Sequence, residues 1–128
     1  MTPLNVLVVD DNPTNRLLPG LLLRPWGHQV SECESADQAT AWLANHPCDL
    51  VLLDISMPLV SGLELCHQLR GHTNLKHLKL IAYTAHAMPH EVQLLKDAGF
   101  DQVLLKPIRS QDLSEAMKAS FDQSRASG

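Results

Sequence analysis

Several features that would point to particular functions are missing from this chain. Ten Lys and Arg stand against fourteen Asp and Glu, a formal charge of −4 at pH 7, so there is no basic footprint for nucleic acid. No run approaches the roughly 18 apolar residues of a membrane span. The N-terminus has no basic stretch followed by a long apolar segment, so no export signal is expected and the protein is placed in the cytoplasm, without membrane contact of its own. Cysteine is scarce: Cys33, Cys48 and Cys66 are an odd number at irregular spacing with no C-x-x-C pair. That pattern excludes a disulfide framework and a zinc site, and reads as buried free thiols in a reducing compartment.

What is present is a set of short apolar runs, three of which end on a charge. Leu4 to Val9 meets Asp10-Asp11, Asp49 to Leu53 meets Asp54, and Val103 to Leu105 meets Lys106. A continuous apolar run bounded by polar residues reads as a parallel strand buried on both faces. Ligands of open α/β sheets bind just beyond the carboxyl ends of such strands. If these three strands are neighbours, three carboxylates and one ammonium meet at one spot.

Strand-like and helix-like runs alternate five times, the pattern of a parallel sheet with helices on both faces. The expected strands are Leu4–Val9, His28–Glu34 nearer an edge, Asp49–Asp54 at the centre, Leu78–Tyr83 and Val103–Leu105. Asp11 or Asn12 caps the first helix, with Pro13 at its first position. Ser35 and Gln38 have capping-box spacing for the second. Leu65 and Leu69 mark the third, Pro89–Ala98 stopped by Gly99 the fourth, and Leu113, Met117 and Phe121 one face of the fifth, capped by Ser110. At 128 residues this is a single domain, residues 1–128, with a core over about 4–121 and a frayed tail over 122–128. Pro19-Gly20 interrupts the first helix at a cost of about 3 kcal/mol for Pro and about 1 kcal/mol for Gly against Ala. A kink or two short pieces is therefore expected there, with Pro25-Trp26-Gly27 ending the element.

Asp10, Asp11 and Asp54 within a few ångströms would repel one another, and a hard divalent cation removes the conflict. Mg²⁺ prefers oxygen ligands and is usually held by one or two carboxylates with several waters. Asp11 and Asp54 are the better ligand candidates, with a backbone carbonyl near Ser56 as a third oxygen and Asp10 as a partner to metal-bound water. A carboxylate can accept a phosphoryl group, and positioning with charge neutralisation carries most of such a reaction. Asp54, on the middle strand, is the natural acceptor. Lys106 is the cation for one phosphoryl oxygen, and the Thr84 hydroxyl is the donor to another. Lys106-Pro107 is a candidate cis peptide. Taken singly, each of these residues reads as a turn former, a cap or a surface side chain; only their joint occurrence on one side of an α/β pattern carries the chemistry.

Leu7-Val8-Val9-Asp10-Asp11, Asp54-x-x-Met57-Pro58-x-x-x-Gly62, Thr84-Ala85 and Lys106-Pro107, in that order and spacing, resemble the receiver domain of two-component response regulators. The likeness covers roughly Leu4 to Phe121. It implies a flavodoxin-like (βα)5 fold with strand order 2-1-3-4-5. It also implies Asp54 as phosphoacceptor, Asp10 and Asp11 as the acidic pair, Asp11 and the Ser56 carbonyl as Mg²⁺ ligands, Thr84 as the switch hydroxyl and Lys106 as the lysine of the site. Ser56 and His86 stand where the family tunes the lifetime of the aspartyl phosphate. Asp10-Asp11-Asn12-Pro13-Thr14-Asn15-Arg16 and Thr84-Ala85-His86-Ala87-Met88 resemble receivers of hybrid sensor histidine kinases. The implied partners are histidine kinase phosphotransfer helices or a histidine phosphotransfer domain, met by a monomer.

The chain departs from the family at Val103, where many receivers carry an aromatic that swings inward on phosphorylation, and at Pro19-Gly20 on a docking helix. The alternatives are a stand-alone regulator and a receiver-like interaction module that is not phosphorylated. An aspartyl-phosphate phosphatase lacks its second acid at Ser56. An FMN-binding flavodoxin would set an anionic phosphate against Asp10-Asp11. His86 and His90, four apart, read better as a solvated face than as a metal pair, because Pro89 intervenes and no third ligand is evident.

Overall fold

The computed structural model describes residues 3–55, 62–71, 75, 77–85 and 88–126. Ser56, Met57-Pro58 and His86, which carry expectations above, lie outside the described residues. Five parallel strands, β1 (Asn5–Val9), β2 (Gln29–Cys33), β3 (Leu50–Asp54), β4 (Lys79–Thr84) and β5 (Gln102–Leu105), form one sheet of order 2-1-3-4-5. Five helices alternate with them: α1 (Pro13–Leu23), α2 (Ala36–Asn45), α3 (Gly62–Gly71), α4 (Pro89–Ala98) and α5 (Ser110–Ala126). The strand pattern anticipated the parallel sheet with helices on both faces, and the resemblance to receiver domains implied this flavodoxin-like (βα)5 arrangement.

β3 lies at the centre, and every residue of LVLLD is buried, because helices cover both sides. Alternate strand residues feed two cores. Leu7, Val9, Val51, Leu53, Leu80 and Ala82 pack beneath α2, α3 and α4. Val6, Val8, Leu50, Leu52, Ile81 and Tyr83 pack beneath α1 and α5. The three cysteines are free and buried. Burial pushes the Cys48 and Cys66 thiols up to about 11, so none of the three is poised for reaction.

The caps follow the sequence closely. The Asn12 side chain accepts from the Thr14 and Asn15 amides with Pro13 at N1, and Ser35 Oγ accepts from the Gln38 amide. Gln38 Oε1 returns to the amide of Glu34 rather than to that of Ser35. Gly99, at φ +124°, ends α4.

Two expectations are corrected. α1 is one continuous helix through Pro19, not two short pieces. Pro19 removes a single ladder bond, while the Asn12 cap holds one end and the Arg24 amide bonds the Gly20 carbonyl at the other. Pro19, Gly20 and Leu23 are buried, and tertiary packing overrides the local penalty. A 3-10 turn at Arg24–Trp26 and Gly27 at φ +94° then end the element. Ser110 is the first residue of α5 rather than its cap, because the Leu113 amide bonds the Arg109 carbonyl one residue earlier. α5 runs from Ser110 to Ala126.

Candidate functional site

Strand register brings the charged ends together. Val9 pairs with Leu53, Asp54 with Tyr83, and Thr84 with Leu105. Asp10, Asp54, Thr84 and Lys106 therefore emerge at one edge of the sheet. Side-chain alternation sends Asp10, Asp54 and Tyr83 to the α1/α5 side, the face that holds Val8, Leu52 and Ile81.

The site is acidic and largely enclosed. Asp10 (0% exposed), Asp54 (2%) and Thr84 (4%) are buried, while Asp11 is exposed. One ligand oxygen from each of Asp10, Asp11 and Asp54 lies within 4.8 Å of the others. Lys106 Nζ stands 3.5 Å from Asp54 Oδ1 and 3.8 Å from Asp10 Oδ2. The Lys106 amide donates to the Thr84 carbonyl at 2.8 Å, and the Lys106-Pro107 peptide is cis, as anticipated. Three carboxylates facing one ammonium leave negative charge uncompensated. Three hard oxygen donors in that space fit a divalent cation such as Mg²⁺ and fit a soft metal poorly.

Gly62 gives Asp54 its place. A Cβ there would overlap the Asp54 carbonyl oxygen and come within 2.6 Å of the Ile55 Cα. The start of α3 thus presses directly on the backbone that carries Asp54, an approach only glycine permits.

Two residues of the site had no role assigned from the sequence. Arg16 on α1 donates from Nη1 to the Asp10 carbonyl at 2.9 Å and from Nε to Glu32 at 3.1 Å, tying the end of β1 to β2. Tyr83 donates its hydroxyl to Asp10 Oδ2 at 2.6 Å, and its ring centroid lies 5.0 Å from Lys106 Nζ. Burial, reinforced by the bond to Asp10, holds the Tyr83 phenol protonated far above its ordinary range. Parity could have revealed Tyr83, since it pairs with Asp54 and shares its face; Arg16 carries no such signal. Val103 packs, half-buried, against the core beneath α2, α3 and α4, so no aromatic occupies that position. His90 is exposed.

Beside the acids runs a groove of about 370 Å³, walled by Leu17, Leu18 and Leu21 of α1, by Tyr83 and Lys106, and by Pro107 and Ile108. Leu17 and Leu21 are 52% and 67% exposed.

Residues 6–118 match the family model of the response regulator receiver domain. The chain belongs to that family. It is 37% identical over 110 residues to the signal transduction histidine-protein kinase BarA of Escherichia coli, covering 86% of this chain and 12% of the kinase. It is 32% identical over 117 residues to the polar-differentiation response regulator DivK of Brucella anthropi, covering 91% of this chain and 95% of that regulator. The receiver domain of a sensor histidine kinase from Pseudomonas aeruginosa, solved with a magnesium ion coordinated in its active site cleft, is 25% identical with a TM-score of 0.83, over 94% of this chain and 99% of that one. This receiver domain thus resembles both the receiver regions of large sensor kinases and free-standing regulators. Among the described residues no helix is long and apolar enough to cross a membrane.

Proposed function

We propose that this receiver domain is a Mg²⁺-dependent phosphoacceptor in a phosphorelay, with Asp54 taking the phosphoryl group from a phosphohistidine. The observation that carries the reading is the placement of a buried carboxylate, Asp54, 3.5 Å from a single ammonium and among two further acids. Asp54 would attack phosphorus as the P–N bond of the phosphohistidine breaks, and the electron pair of that bond would return to the imidazole. Lys106 would offset charge on one phosphoryl oxygen, and the Thr84 hydroxyl would donate to another. Asp11, Asp54 and Asp10, with the carbonyl of Ser56 from outside the described residues, would hold Mg²⁺. When bound, the ion would neutralise charge on the transferring group.

The donor would approach along the apolar groove beside α1, where Leu17 and Leu21 offer a surface for a histidine-bearing helix. A histidine kinase phosphotransfer helix pair or a histidine phosphotransfer domain fits that surface. Residues 1–128 are read as one receiver domain, monomeric and cytoplasmic. The similarity to BarA and the Asp10–Arg16 stretch support a place within a hybrid sensor kinase, with a free-standing regulator as the alternative that DivK supports.

The test is incubation of wild type and Asp54→Asn with a labelled phosphohistidine donor, with and without Mg²⁺. Label is expected on wild type with Mg²⁺ only. Label on the variant, or indifference to the metal, would overturn the reading.

A further inference from the structure

We propose that Tyr83 is a positioning residue for the cation site, its hydroxyl holding Asp10 in the orientation that Mg²⁺ requires. The inference rests on the phosphoacceptor reading of the same acids and adds a residue to it.

Asp10 is wholly buried, and both of its oxygens are engaged by the protein. Oδ1 accepts the Asn12 amide at 2.9 Å, and Oδ2 accepts the Tyr83 hydroxyl at 2.6 Å with Lys106 Nζ at 3.8 Å. An ionised carboxylate offers about four lone-pair positions, so these contacts fix its plane and leave room for a metal or its water. A tyrosine present only to fill the core between β4 and α5 would need some acceptor for its hydroxyl. Here that acceptor is one of the three acids that converge within 4.8 Å. The same ring faces Lys106. One side chain therefore touches the metal-side acid and the phosphoryl-side cation, and it is anchored by strand β4, which moves less than a loop. Hydrogen bonds from outside the ligand set orient metal ligands, and losing one typically costs 10–100-fold in metal affinity.

Tyr83→Phe removes only the hydroxyl. Asp10 keeps the Asn12 amide and Lys106, so the fold is retained, which far-ultraviolet circular dichroism and the metal-free melting temperature check. Isothermal titration of the whole chain with MgCl₂ is expected to show an affinity about tenfold weaker in the variant than in wild type. Phosphorylation by a small acyl phosphate should then need about tenfold more Mg²⁺ for half its maximal rate, with the maximal rate nearly restored at saturation. A purely structural role would lower the melting temperature and leave the Mg²⁺ affinity where it was. Equal Mg²⁺ affinity in the two proteins overturns the proposal alone. A wild type that binds no Mg²⁺ overturns it together with the reading of the site on which it rests.

Discussion

Lys106 and Asp54 face each other at 3.5 Å, with the carboxylate buried and the lysine side chain only 19% exposed. This ammonium stands within 4 Å of both buried acids. Its removal takes a positive charge from beside both Asp10 and Asp54.

Lys106→Ala is therefore expected to lower metal-free stability by about 1–3 kcal/mol, less than for a fully enclosed pair because Lys106 is partly solvated. Urea unfolding with and without MgCl₂ measures this. Added Mg²⁺ should narrow the gap, since a ligand that binds only the folded state stabilises it. A variant as stable as wild type without metal would show that Lys106 does not balance the acids.

Asp10-Asp11, Asp54 and Lys106 were legible in the sequence because each ends an apolar run, and the end of a buried strand is where a parallel sheet opens to ligands. The caps at Asn12 and Ser35 were legible because they depend on chemistry within three residues. Tyr83 was not read, because strand parity gives only its face, and its role also depends on the β3–β4 register that sets it beside Asp54. The two-piece alternative for α1 failed for a similar reason: the local penalty at Pro19 is readable, whereas the burial of Pro19, Gly20 and Leu23 that outweighs it is tertiary.

Gly62→Ala is expected to destabilise the domain by about 1–3 kcal/mol, the range for forcing an extra methyl into a packed site. The backbone of Asp54 and Ile55 must move to admit the Cβ, so the rate of Asp54 phosphorylation at saturating Mg²⁺ should fall as well. Denaturant titration and phosphorylation kinetics check the two effects. Wild-type values for both would mean that the close approach of α3 to β3 does not position Asp54.

His28 is buried and its Nδ1 accepts the Leu4 amide at 3.0 Å, a bond that requires the nitrogen to be unprotonated. Burial lowers its pKa from the ordinary value, so below about pH 6.5 the unfolded chain binds a proton that the folded one resists. The stability from this group is thus fully present above about pH 6.5 and is lost as pH falls from there toward the depressed folded value. His28→Asn offers an Oδ1 in place of Nδ1 and does not titrate, so its stability should fall less across that window. Urea midpoints at a series of pH values decide it, and equal slopes for the two proteins would contradict the assignment.

The central claim is that Asp54 carries the phosphoryl group. Its most direct measurement is mass spectrometry of the intact chain and its peptides after incubation with a phosphohistidine donor and Mg²⁺. The expected result is one added phosphoryl group, reducible by borohydride as an acyl phosphate, on the peptide containing Asp54 and absent from Asp54→Asn. A stable phosphoryl group on any other residue, or an unmodified chain beside a spent donor competent toward another receiver, would contradict the account.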